Sequence, residues 1–93
     1  MKFIIDGINV RSSLNIGFTQ ASLGDEIEVE TVDGPVKIKI PAGIQSGAEL
    51  SIPDRGVSMD WRRGDHIVKV HVKTPKKLSK KQKQLLEELD LRE

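Results

Sequence analysis

Apolar and polar residues alternate with a period of two over most of this chain, and at Lys73-Thr74-Pro75 that period gives way to one near 3.6. The switch constrains the fold more than any other feature, because alternation builds half-buried strands and the longer period builds an amphipathic helix. Val10, Ser12, Leu14 and Ile16 alternate with Arg11, Ser13 and Asn15. Ile27 and Val29 alternate with Glu26, Glu28 and Glu30, and Val36, Ile38 and Ile40 alternate with Lys37 and Lys39. Asp33-Gly34 lies between the last two runs, and Asp-Gly between alternating runs predicts a hairpin. That hairpin sets glutamates opposite lysines, a pairing that contributes about 0.2–1 kcal/mol per pair. Residues 17–23 are spaced as a short helical turn, and residues 41–49 form a Gly- and Pro-rich connection. A short strand is expected over 50–52, a loop holding the single tryptophan, Trp61, over 54–65, and a last strand over 67–73 with Val68, Val70 and Val72 on one face.

Beyond Pro75 the pattern becomes helical. Ser79-Lys80-Lys81-Gln82 is a capping box, and Leu85, Leu86 and Leu89 form one apolar stripe. The expected organisation is one domain over residues 1–93, with a β region over 2–73 and a helix over 80 to about 91. Leu91 falls partly off the stripe. One helix face is expected to dock on the sheet and leave Leu91 for a second chain or for a segment following Glu93. With so little apolar surface, any homodimer of this chain is expected to be weak.

Composition narrows the function. The chain has 93 residues, no cysteine and a formal net charge of +1. That removes disulfide scaffolds and thiolate metal sites, and it disfavours an electrostatic nucleic-acid binder. No apolar run approaches the roughly 20 residues of a membrane span. The charge is uneven, with 8 basic and 10 acidic side chains over residues 1–72 against 7 basic and 4 acidic over residues 73–93. Lysines gather near the start of the expected helix and Glu87, Glu88 and Asp90 near its end, which is the unfavourable polarity for the helix dipole.

Catalytic chemistry finds no purchase. His66 and His71 are five residues apart on one strand, hence on opposite faces, and are expected at solvent edges. Asp25, Glu26, Glu28 and Glu30 belong to a wet strand face. The phosphate-loop, Gly-Xaa-Ser-Xaa-Gly and His-Glu-Xaa-Xaa-His motifs are absent. The chain is expected to be no enzyme, with no cofactor and no metal.

Several stretches in order carry a family resemblance. They are Phe18-Thr-Gln-Ala-Ser-Leu-Gly24, Asp25-Glu-Ile-Glu-Val-Glu-Thr31, Val32-Asp-Gly-Pro-Val-Lys-Ile-Lys-Ile-Pro-Ala-Gly43, Ile44-Gln-Ser-Gly47, Arg55-Gly-Val57, Arg63-Gly-Asp65, Thr74-Pro75 and Leu78-Ser-Lys-Lys-Gln-Lys83. The series resembles the second C-terminal β-domain of DnaJ-type co-chaperones, from about Asp6 to about Leu89. The resemblance implies an all-β, two-layer, sandwich-like fold with one C-terminal α-helix. It implies a cytoplasmic chaperone role, in which unfolded polypeptide clients are held for a DnaK-type chaperone and the family's dimer contact is positioned. The J-domain with its His-Pro-Asp signature, and the cysteine-rich zinc module, are missing from this sequence. The expectation is therefore a domain taken from a longer chain, with the DnaK-type partner engaged through the absent J-domain. The family is usually acidic after the position of Ser79, where this chain has Lys80-Lys81. Moving the family's client groove across by position names Leu14, Ile16, Ile27 and Val29, although these are also the apolar faces of their strands. Leu85, Leu86, Leu89 and Leu91 would form the interaction helix. The alternative is a structural spacer that binds little itself.

Overall fold

The structure, a computed structural model, describes residues 3–59 and 62–89. Its strands, in chain order, are β1 (Ile4–Asp6), β2 (Asn9–Gly17), β3 (Asp25–Thr31), β4 (Gly34–Ile40), β5 (Glu49–Ile52), β6 (Ser58–Met59), β7 (Arg62–Arg63) and β8 (His66–Lys73). Helix α1 (Phe18–Leu23) lies between β2 and β3, and α2 (Lys80–Leu89) follows β8. The main sheet has the order β1-β2-β8-β5, β3 and β4 form a second layer, and β6 and β7 make a small ribbon. The fold is all-β with a short C-terminal helix, as the alternation and the resemblance imply.

The two layers share their apolar interior. Ile16 of β2 and Val70 of β8 pack with Ile40 of β4 and with Ala21 of α1. Val68 of β8 and Ile52 of β5 pack with Val29 of β3. Leu14 and Ile38 touch both clusters and make them continuous. Strands with period two can build this core because alternate side chains, such as Val68 and Val70 of β8, point to the same layer.

The parallel pairing of β2 with β8, from Val10 opposite His66 to Gly17 opposite Lys73, has no local sequence signal. More than fifty residues separate the partners, so the register is selected by tertiary contacts: the shared burial of Val10, Ile16, Val68 and Val70 and the buried Ser12–His66 hydrogen bond. Strand β1 also differs from the expectation, which named no separate strand there. It folds onto β2 through Gly7-Ile8, with Asp6 opposite Asn9 and Gly7 at φ +65°. A glycine at the first central position suits a two-residue hairpin turn, so Asp6-Gly7 is the overlooked signal.

The β3–β4 hairpin forms as expected, but its loop is Val32-Asp33, because Thr31 pairs with Gly34. Only Gly34 of these turn residues has positive φ, at +102°. The Thr31 hydroxyl donates to the Gly34 carbonyl at 2.7 Å and accepts from the Asp33 N–H at 3.2 Å, which closes the turn one residue earlier than the dipeptide suggests. Glu26 faces Lys39 and Glu28 faces Lys37 across the ladder. An ion pair from Arg63 of β7 to Asp33 ties the hairpin tip to the ribbon.

The segment expected as a loop over 54–65 contains β6 and β7, while Trp61 lies outside the described residues. The segment sits hard against the β1–β2 turn. The Val57 N–H donates to the Ile8 carbonyl at 2.7 Å, and a side chain at Gly64 would meet that carbonyl oxygen at 1.9 Å. His66 corrects the sequence expectation outright. It is fully buried at the start of β8, while His71, on the opposite face, is half-buried.

The molecule is elongated, measuring 56 × 22 × 19 Å. The capping box is present: the Ser79 N–H donates to Gln82 Oε1 at 2.8 Å, and the Gln82 N–H donates to Ser79 Oγ at 3.1 Å. The helix has no buried residue, so the expected docking of its leucine face on the sheet does not occur. Leu85, Leu86 and Leu89 remain exposed, and Leu91 lies outside the described residues.

Candidate functional site

The four side chains expected to line a client groove separate into two kinds. Ile16 and Val29 are buried, at 3% and 0% exposure, and belong to the shared core. Leu14 and Ile27 are half-buried and pack against it. Alternation could name the inward face of each strand but not how deeply each residue on it is covered. Depth depends on the facing layer, and no single strand encodes that.

Backbone topology adds what the side chains lack. β3 pairs only with β4 among the described strands, leaving its other edge without a strand partner. β1 covers β2 only at Asn9, Val10 and Arg11, so the same side of β2 from Ser12 onward has no strand partner either. Unpaired edges present backbone N–H and C=O groups that can take up an extended peptide. Glu26, Glu28 and Glu30 stand exposed along β3, and charges of this kind discourage edge-to-edge association of identical chains. Asp25, at the strand's start, accepts from Gln20 Nε2 at 3.0 Å and from the Glu26 N–H at 2.8 Å. The Gln20 hydrogen bond first, and the backbone N–H second, hold its carboxyl below the usual aspartate range.

A second surface lies at the opposite end of β2. α1, the end of β8 and the start of α2 enclose an open cleft of about 760 Å³. Phe18, Leu78, Leu85 and Leu86 contribute its apolar walls, and Lys73 and Lys77 stand at it. The Gly17 N–H is held by Gln20 Oε1 at 2.9 Å, which fixes the entry to α1 and so the position of Phe18. The leucine stripe expected to dock on the sheet instead forms part of this cleft.

Elsewhere, Arg11 donates to Asp6 and to Glu49, each at 2.9 Å, and clips β1 and β5 to β2. The hydrogen bond to Asp6, with that to Glu49 next, raises the guanidinium pKa further. Among the described residues no group of three or more His, Cys, Asp or Glu side chains converges as a metal site. No described helix is long and apolar enough to cross a membrane.

Two β layers sharing one core, with unpaired strand edges and a short helix after the last strand, make an all-β domain of the kind found at the C-terminal end of DnaJ chaperones. The DnaJ C terminal domain model matches residues 1–75, and the chain belongs to that family. The chain is 52% identical over 85 residues to the Chaperone protein DnaJ of Lysinibacillus sphaericus, covering 89% of this chain and 23% of that protein. It is 48% identical over 87 residues to that of Geobacillus thermodenitrificans, covering 91% and 23%. For that of Rickettsia prowazekii the figures are 47% over 87 residues, covering 90% and 24%. The chain thus spans about a quarter of the length of these relatives.

Proposed function

We propose that this domain holds extended segments of non-native polypeptides along the free edge of β3, as part of a cytoplasmic chaperone that passes them to a DnaK-type partner. The observation that carries the reading is that β3 has a strand on only one side among the described residues. A peptide added there gains main-chain hydrogen bonds whatever its sequence, which suits a holder of varied clients. Leu14 and Ile27 offer the remaining apolar surface, while Ile16 and Val29 fix the strands that present it. The expected chemistry is binding alone, without a catalytic step. Contact with the DnaK-type chaperone belongs to a J-domain elsewhere in the whole protein.

A peptide that is N-methylated at alternate residues, and so cannot complete the ladder, tests the mechanism. The unmodified extended peptide should bind and slow amide exchange along residues 25–31, and the methylated one should not. Equal binding of both, or of a helix-locked version, would refute strand addition. The burial of Ile16 and Val29 favours a second reading, a spacer between a client-binding domain and the dimer contact; absence of binding at millimolar peptide would support it.

A further inference from the structure

The pairing of β3 with β4 fixes which backbone groups of β3 face its free edge. In an antiparallel ladder, pairs that exchange hydrogen bonds alternate with pairs that do not, and the N–H and C=O of one residue point to the same side of its strand. Pro35 lies opposite Glu30 and has no N–H to give, so Glu30–Pro35 is a non-bonded pair. Stepping by two along the register, Glu28–Lys37 and Glu26–Lys39 are non-bonded pairs as well. The ladder bonds of β3 therefore come from Asp25, Ile27, Val29 and Thr31, and the N–H and C=O groups of Glu26, Glu28 and Glu30 point away from β4. A contact outside the ladder agrees, since the Glu26 N–H donates to the Asp25 carboxylate at 2.8 Å. No carbonyl outside the ladder takes the Glu28 or Glu30 N–H among the described residues. The side chains of these three glutamates are exposed, while Ile27 and Val29 pack toward the other layer. Glu26 and Glu28 face lysines of β4, but Glu30 faces Pro35 and has no cation across the ladder.

Resting on the strand-addition reading, we propose that the β3 edge selects extended segments in which basic and apolar residues alternate, added antiparallel with the basic residues bonded to Glu28 and Glu30. Antiparallel is the better-bonded of the two directions. A residue bonded to Glu28 or Glu30 in that arrangement shares their exposed face. Lysine or arginine there meets a carboxylate, and an acidic residue meets repulsion. The residues between them fall beside Ile27 and Val29 on the inward face, where apolar side chains belong. The Asp25 carboxylate closes the Glu26 N–H to the segment, so the dock is short and centres on Glu28 and Glu30. Backbone bonds admit any sequence, and the side chains beside the glutamates rank them.

Three short peptides test it, alternating valine with lysine, with glutamine or with glutamate. The readout is NMR hydrogen exchange at the Glu28 and Glu30 amides of the full chain, because a glutamate peptide can also gather on the lysines of residues 73–83. The lysine peptide should bind at β3 about ten-fold more tightly than the glutamate peptide, with the glutamine peptide between them. In Glu28→Gln/Glu30→Gln, whose altered side chains are exposed, the ranking should shrink to about two-fold, and circular dichroism should show the native fold. Backbone N-methylation of the lysines should abolish amide protection, whereas methylation of the valines, whose N–H groups point to solvent, should preserve it. Equal binding of the three peptides overturns the selection and leaves strand addition standing. A ranking that survives in the double variant overturns the role of the two glutamates. Loss of protection on methylating the valines instead of the lysines overturns the antiparallel register. Protection by none of the peptides overturns strand addition itself, and the selection with it.

Discussion

His66 should make this domain acid-sensitive well before its carboxylates titrate. The ring is fully buried, with Nε2 2.7 Å from Ser12 Oγ and Nδ1 without a partner among the described residues. Its neighbours in register are Val10 and Ile52, and the Phe3 ring meets it edge-on at 5.3 Å between centroids. The adjacent Asp65 carboxylate accepts from the Asp54 N–H and the Ser51 hydroxyl, each at 3.3 Å. An imidazolium here would bury a charge with only one of its two N–H groups satisfied. Desolvation therefore lowers the pKa below the ordinary value of 6.5. The unfolded chain takes up the proton first as pH falls, so the stability His66 contributes is fully present above pH 6.5 and is lost below it. The limiting loss is about 1.4 kcal/mol per pH unit, or roughly 1 M in the urea midpoint for a domain of this size. Urea titrations from pH 8 to pH 5 should show this slope in the native chain. In Ser12→Ala/His66→Leu, which removes both polar groups and leaves no orphan hydroxyl, the slope should vanish. Parallel pH profiles for the two proteins would refute the assignment of the acid response to His66.

Two glycines separate conformational strain from steric clash. Gly34→Val meets no atom within 4 Å but places a β-branched residue at φ +102°, and should cost about 1–2 kcal/mol in urea denaturation. Gly64→Ala drives its methyl into the Ile8 carbonyl at 1.9 Å and should cost more, about 3 kcal/mol. A smaller loss for Gly64→Ala would mean the 54–65 segment yields easily. Ser79→Ala removes the acceptor of the 3.1 Å Gln82 hydrogen bond and should weaken α2 by about 1 kcal/mol. Since α2 buries none of its residues, far-UV helicity should fall while the thermal midpoint of the sheet stays put.

What was legible in the sequence is what short-range chemistry decides. The β3–β4 hairpin, the turn of α1 and the capping box of α2 depend on residues within a few positions of each other. The alternation from Val10 to Ile16 likewise names an inward face. His66 shows the boundary. Its position on a strand was readable, yet its burial depends on Phe3, Val10, Ser12 and Ile52, which three other segments supply. The parallel register of β2 with β8 was hidden for the same reason. For the candidate groove the alternation names the inward faces of β2 and β3, and only the facing layer divides buried Ile16 and Val29 from half-buried Leu14 and Ile27. The helix failed in the opposite sense, since an apolar stripe was read as a docked face. The ten residues from Lys80 to Leu89 bury no side chain, so the stripe is not covered by the sheet.

Charge divides the two surfaces more sharply than shape does. The β3 edge carries Glu26, Glu28 and Glu30, with the lysines of β4 on the neighbouring strand. The cleft at α2 carries Lys73 and Lys77 over exposed apolar walls. The backbone groups of β3 make the first surface tolerant of side-chain sequence. Near-zero net charge for the whole chain therefore conceals a lysine-rich stretch over residues 73–83, whereas Glu26 and Glu28 of β3 are balanced by the lysines opposite them, and local charge rather than the total meets a partner within a Debye length.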